Sequence, residues 1–154
     1  MEKRQLPEDF KEFLSLLNKN KVKYLLLGGW AVGIYAAPRA TADMDVFISV
    51  EDENLDKLLK ALNEFGAISV PKEHFKEPGR IFRMGRSPIR IEIINQASGI
   101  NFKSCYKRNN IVNVDGIDIT VISPDDLLIN KQASGREKDI ADLKSLEKIL
   151  GKDK

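Results

Sequence analysis

The chain has 154 residues, 42% hydrophobic and 31% charged, with a formal net charge of +2. That balance suits one folded unit with its own core and excludes an intrinsically disordered chain. No apolar run approaches the roughly 20 residues needed to span a bilayer, and MEKRQLPEDF has no apolar leader core. The expectation is a single domain over residues 1–154, in the cytoplasm and without a membrane.

In chain order, LPEDFKEFLSLLNKN has a helical period that puts Phe10, Phe13, Leu14 and Leu17 on one face. KYLLLGG is a short apolar run ending in glycine and predicts a buried strand. WAVGIYAA predicts a short helix stopped near Pro38, and MDVFISV the next strand. DENLDKLLKALNEFG is the clearest helix, lined by Leu55, Leu58, Leu59 and Leu62 and closed by Gly66. RIFRMG and PIRIEII predict two strands joined at Gly85–Pro88. IVNVDGIDITVIS predicts a hairpin turning at Asp115–Gly116. SPDDLLINKQAS starts a helix with a serine cap and a proline at its first position, and Gly135 ends it. REKDIADLKSLEKIL is the last helix. This order predicts an α/β fold of the mixed α+β kind: a mixed sheet flanked by helices, with a C-terminal helical pair.

The cysteine and histidine counts narrow the chemistry. One cysteine, Cys105, excludes an internal disulfide and a cysteine-rich zinc site, and one histidine, His74, excludes a multi-histidine metal site. His74 lies in the polar stretch PKEHFKEPG with no serine nucleophile nearby and reads as an ordinary surface side chain.

Three acids remain as chemical candidates. Asp43 and Asp45 are one residue apart on a strand, so they project to the same face. Two carboxylates this close repel unless a cation lies between them, and a hard divalent ion with oxygen ligands is the natural partner. Taken alone, the pair also fits a solvated strand end. Gly28 and Gly29 fall where a strand meets a helix. There the backbone can approach a phosphate and the helix N-terminus offers free N–H groups, although a plain strand-to-helix turn looks the same. GGWAVG is neither a Walker A motif nor a dinucleotide-binding glycine pattern. Glu92 stands in the apolar strand PIRIEII, sharing a face with Arg90. A charge in such a strand needs a partner: either a cross-strand arginine or a metal site for which it is the third acid. The basic residues Arg80, Arg83, Arg86, Arg90, Lys103, Lys107 and Arg108 cluster in sequence. They are either solvated faces or a surface for a polyanion.

Together, LGGWAVGIYAAPRATADMDVFI and RIEII resemble the nucleotidyltransferases of the DNA polymerase β superfamily: a glycine pair at a strand end, a short helix, Asp-x-Asp on the next strand and a distant single acid. Thirteen residues separate Gly29 from Asp43, within the range of that pattern. APRATADMDVFI is similar to the Arg-x-Thr-x-Asp-x-Asp form of small members, among them the nucleotidyltransferase toxins of toxin–antitoxin pairs. The Gly-Gly-Trp opening is similar to that of aminoglycoside and lincosamide nucleotidyltransferases. DLLINKQASGREKDIADLKSLE resembles the helical pair that closes many of the small proteins.

The resemblance implies a magnesium (or manganese) ion on Asp43, Asp45 and Glu92, with these three acids catalytic. It implies a nucleoside triphosphate bound by Gly28, Gly29 and Lys131, and Arg136, Asp139 and Asp142 bracing the helix pair or lining the cleft. It further implies transfer of a nucleoside monophosphate to an acceptor hydroxyl, on tRNA or another RNA, with a cognate antitoxin as partner. A small-molecule acceptor, a protein side chain and a catalytically inactive nucleotide-binding module are the alternatives. Two positions depart from the family pattern: Gly29 stands where many members have serine, and Glu92 where aspartate is more frequent.

Overall fold

A computed structural model describes residues 6–36, 43–86 and 89–151. Its helices are α1 (Glu8–Lys19), α2 (Gly28–Tyr35), α3 (Asp52–Phe65), α4 (Phe102–Lys107), α5 (Pro124–Ser134) and α6 (Ile140–Ile149). Its strands are β1 (Tyr24–Leu27), β2 (Asp43–Ile48), β3 (Ile81–Arg86), β4 (Ile89–Ile94), β5 (Asn110–Val114) and β6 (Ile117–Val121). Short 3₁₀ turns cover Lys72–Phe75 and Glu137–Asp139. None of the described helices is long and apolar enough to cross a membrane.

The six strands form one mixed sheet in the order β3-β4-β2-β1-β6-β5. β2 pairs parallel with β4 and antiparallel with β1, and β1 pairs parallel with β6. The central strands carry the core: Tyr24, Leu25, Leu26, Met44, Val46, Phe47, Ile48, Ile91 and Ile93 are all buried. α1 packs on α3, while α2, α5 and α6 form a second cluster. The periodic residues of α1 (Phe10, Phe13, Leu14 and Leu17) all face the core, as the pattern predicts. Asn54 ties α3 to the sheet: buried within the helix, it accepts from the Lys23 amide and donates to the Lys23 and Ser49 carbonyls.

Helix ends follow local chemistry. Gly66 closes α3 at φ 90°. Ser123 caps α5 by accepting from the Asp126 amide, Pro124 opens it, and Gly135 ends it at φ 59°. The DG hairpin turns at Asp115 and Gly116, both at positive φ.

Several expectations are corrected. α2 begins at Gly28 rather than after the glycine pair, and the strand expected from Met44 already includes Asp43. The single helix expected from Arg136 is divided, with a 3₁₀ turn over Glu137–Asp139 before α6 starts at Ile140. The short helix α4 was not expected; its signal is Asn101, which caps it by accepting from the Ser104 amide. His74 is not an ordinary surface residue. It is half-buried with ring edges against Phe75 and Phe82, and desolvation pushes its pKa down. Pro38, Arg39, Thr41 and Pro88 lie outside the described residues.

Candidate active site

Strand register assembles the site. Asp45 on β2 lies opposite Glu92 on parallel β4, and Asp43 lies opposite Arg90. Across the antiparallel β3–β4 pair, Arg83 lies opposite Glu92 and Gly85 opposite Arg90. Directly paired residues put their side chains on the same face of a sheet. One face therefore carries Arg83, Glu92 and Asp45 in one row and Arg90 and Asp43 in the next. Met44, Val46, Ile91 and Ile93, out of phase by one residue, supply the buried face.

These acids open into a cleft of about 810 Å³. Gly28 and Gly29, at the start of α2, form one edge of it. Lys131 and Ser134 on α5, with Arg136 and Asp139 beyond, form another, and Gln96, Ala97, Ser98 and Ile100 after β4 contribute a third. The glycine at 28 is required twice over. Its φ of +66° is left-handed, and a Cβ there would run into the Asp45 carboxylate. Backbone and carboxylate thus meet at the mouth of α2.

The electrostatics are uneven. Burial, then repulsion from Glu92 and Asp43, pushes the Asp45 carboxyl up to about 6 despite Lys131 and Arg136. Asp43 is held by Arg90, whose Nη2 donates to Oδ2 at 2.7 Å. Glu92 is flanked by Arg83 at 3.3 Å and Arg90 at 3.4 Å. Glu92 thus has the cross-strand arginine that its place in an apolar strand calls for, and it also lies opposite Asp45. Among the described residues, no three acid, histidine or cysteine side chains converge closely enough to cage an ion unaided. Magnesium takes one or two carboxylates and fills its octahedron with substrate oxygens and water. A half-buried Asp45, crowded by two carboxylates and beside Asp43, fits such a shared ion.

Lys131 is buried rather than solvated. Its ammonium lies 2.8 Å from Asp139 and 3.2 Å from Asp142, both buried as well. Against burial, which would raise it, hydrogen bonds from Lys131 and Ser134 hold the Asp139 carboxyl down to about 2. Arg136 donates from Nε to Asp139 at 3.1 Å, yet its side chain is 57% exposed at the cleft. Arg136 is thus the more accessible cation, a distinction that sequence spacing does not make.

The seven basic residues that cluster in sequence divide into groups in the fold. Arg83 and Arg90 serve the acids. Arg80 pairs with Glu77, and Arg108 grips buried Asp126 through two hydrogen bonds of 2.9 and 3.0 Å. Arg86 is exposed on edge strand β3. Lys103 and Lys107 line a separate cleft.

A glycine-opened helix between two strands, the second of which carries alternate acids facing a lone acid on a parallel neighbour, is the DNA polymerase β-like arrangement. It places the chain among the nucleotidyltransferases. Residues 4–151 match the family described as nucleotidyltransferase of unknown function (DUF6036), and the chain belongs to that family. Among curated proteins, none matches the chain by sequence.

Solved structures share the fold. The chain is similar to the lincosamide antibiotic adenylyltransferase LnuA with lincomycin bound, at 20% identity and TM-score 0.62, covering 94% of this chain and 98% of that one. It is also similar to the antibiotic-resistance factor ANT(2'')-Ia, at 12% identity and TM-score 0.61, covering 94% and 83%. A third is an antigenic nucleotidyltransferase-like protein from Paracoccidioides brasiliensis, at 17% identity and TM-score 0.55, covering 92% and 75%.

Proposed function

We propose that this nucleotidyltransferase moves a nucleoside monophosphate from a nucleoside triphosphate to an acceptor hydroxyl on RNA, with tRNA the first candidate, in a magnesium-dependent reaction. The observation that carries the reading is the row of carboxylates: Asp45 and Asp43 share a face of β2, and Glu92 faces Asp45 across the parallel pair.

Asp43 and Asp45 would hold the ion together with phosphate oxygens, and Glu92 would complete the acid set. When bound, the ion neutralises charge on the triphosphate as the transition state forms. The amides of Gly28 and Gly29, at the N-terminus of α2, receive phosphate oxygens. Arg136 meets the triphosphate from the open side of the cleft. Lys131, anchored by Asp139 and Asp142, has three N–H donors and keeps one for a phosphate. The acceptor oxygen attacks the α-phosphorus in line with the α–β bridging oxygen. The new O–P bond forms as the bridging P–O bond breaks, and pyrophosphate leaves. Glu92, beside the reacting centre, takes the hydroxyl proton.

The test is incubation with each labelled triphosphate, ATP first, together with magnesium and total tRNA. Label should enter RNA for the wild-type protein and not for an Asp43→Asn/Asp45→Asn double variant. Equal labelling by the double variant sinks the reading. A small hydroxylated acceptor is the second reading, supported by the 98% coverage of the lincosamide adenylyltransferase. Label entering an added small molecule but not RNA would select it.

A further inference from the structure

A second cleft, of about 510 Å³, opens beside the first between the end of β2 and helix α4. The two clefts share Gln96 and Ile100 as lining residues. No role described so far uses it, yet it contains Lys103 and Lys107, singled out by sequence and left unassigned by the acid site.

Three properties define what it can bind. The first is an aromatic platform: Phe102 and Tyr106 stack one helical turn apart with centroids 5.3 Å apart and planes 18° from parallel, while Phe47 braces Phe102 edge-on at 5.2 Å. The second is charge. Among the described residues, Lys23, Lys103 and Lys107 line the cleft against a single acid, Glu51, and all four are exposed. The third is position. Gln96 lies four residues beyond Glu92, no more than about 14 Å of chain, so one extended ligand can lie in both clefts. A polycationic acceptor would be repelled by the three lysines. An uncharged one would leave them without a role. Stacked rings beside a track of lysines are the elements that bind single-stranded nucleic acid, where bases continue a stack and cations follow the phosphates.

We infer that this second cleft is the acceptor subsite, and that it holds the terminal nucleotides of a single RNA strand. Bases stack against Tyr106 and Phe102, Lys103 and Lys107 contact the backbone phosphates, and the end of the strand passes Gln96 and Ile100 toward Glu92. The inference rests on the nucleotidyl-transfer reading above.

The experiment uses the full chain and a fluorescent single-stranded RNA oligonucleotide with 4-thiouridine at the second and third positions from its 3′ end. Anisotropy is recorded across a salt series for the wild type and for a Lys103→Glu/Lys107→Glu double variant whose thermal melt shows that it folds. Both lysines are surface residues on α4. The variant should bind at least about tenfold more weakly, and the logarithmic salt slope should flatten by about 1.4, at roughly 0.7 per phosphate contact on a single strand. Photo-cross-linking followed by peptide mapping should place the thiouridine bases on the peptide containing Phe102 and Tyr106 in the wild type. Equal affinity in the two proteins, or cross-links only outside α4, would overturn the subsite. Triphosphate binding by the wild type is measured separately. RNA binding absent while triphosphate binding is present sinks this inference alone, whereas no triphosphate binding sinks the reading beneath it.

Discussion

Asp45 and Glu92 face each other directly across the parallel β2–β4 pair, with Arg83 on the far side of Glu92. The arginine pairs with the glutamate and not with the aspartate, so Asp45 bears burial and two neighbouring carboxylates; its carboxyl is pushed from 3.8 up to about 6. In this window the folded chain binds more protons at Asp45 than the unfolded chain, so stability falls as pH rises from about 4 to about 6. At one pKa unit per 1.36 kcal/mol, the cost of the ionised form is on the order of 2–3 kcal/mol. Asp45→Asn should therefore match the wild type at pH 4 and melt several degrees higher at pH 7.5 in chelator. Thermal melts across pH check this, and a wild-type advantage at pH 7.5 would contradict it.

The two cations of the α5–α6 edge should separate under mutation. Removing Lys131 takes away the buried cation that Asp139 and Asp142 share, leaving Asp139 with the exposed Arg136. Breaking a buried pair in this way costs about 3–5 kcal/mol. Lys131→Ala should thus lose much of its stability together with triphosphate binding, and its loss of binding is not interpretable without a melt. Arg136 is exposed at the cleft. Arg136→Ala should melt close to the wild type and bind triphosphate more weakly, most clearly at low salt. Calorimetric titration beside thermal melts decides the pair; unchanged affinity in Arg136→Ala would remove it from the phosphate site.

Gly28→Ala asks a small question of the backbone and a large one of the site. A left-handed alanine costs roughly 1 kcal/mol, and its methyl collides with the Asp45 carboxylate. The aspartate must move away from its position opposite Glu92. We expect a modest fall in melting temperature and a loss of turnover of at least about a hundredfold, as about 1 Å of misplacement can cause. Turnover within a few-fold of wild type would mean that Asp45 does not need its present position.

The row of acids was legible because strand periodicity is strict. One residue between Asp43 and Asp45 fixes a common face wherever the strand goes, and the glycine pair marks where the preceding strand stops. Glu92 was visible as a charge in an apolar strand, but its placement opposite Asp45 depends on β4 joining β2 in parallel, which no local pattern specifies. The same limit applies to the basic residues. Arg83, Arg108 and Lys107 look alike in sequence, yet one faces Glu92, one is drawn to buried Asp126 and one is left on a second cleft. Long-range partners assigned those roles. Lys131 was found by resemblance, while its enclosure by Asp139 and Asp142 depends on how α6 docks, after a 3₁₀ turn that helical periodicity did not register.

Arg90 carries the last prediction. Its guanidinium holds Asp43 at 2.7 Å and lies 3.4 Å from Glu92, occupying the positive role that a divalent ion would take between the acids. Contact with Asp43 holds the guanidinium pKa above its ordinary value. Ion and arginine therefore compete for Asp43, and the arginine charge also repels a cation arriving at Asp45. Arg90→Gln keeps a hydrogen-bond donor beside Asp43 and removes the charge. The side chain is a third exposed, so solvent screens the pair and the effect should be moderate. Manganese, which reports its own binding by electron paramagnetic resonance, should bind the nucleotide-free variant about two- to five-fold more tightly than the wild type. With triphosphate present the difference should shrink, because phosphate oxygens then supply most of the ion's ligands. Weaker manganese binding in Arg90→Gln would show that the arginine arranges Asp43 for the ion rather than competing with it.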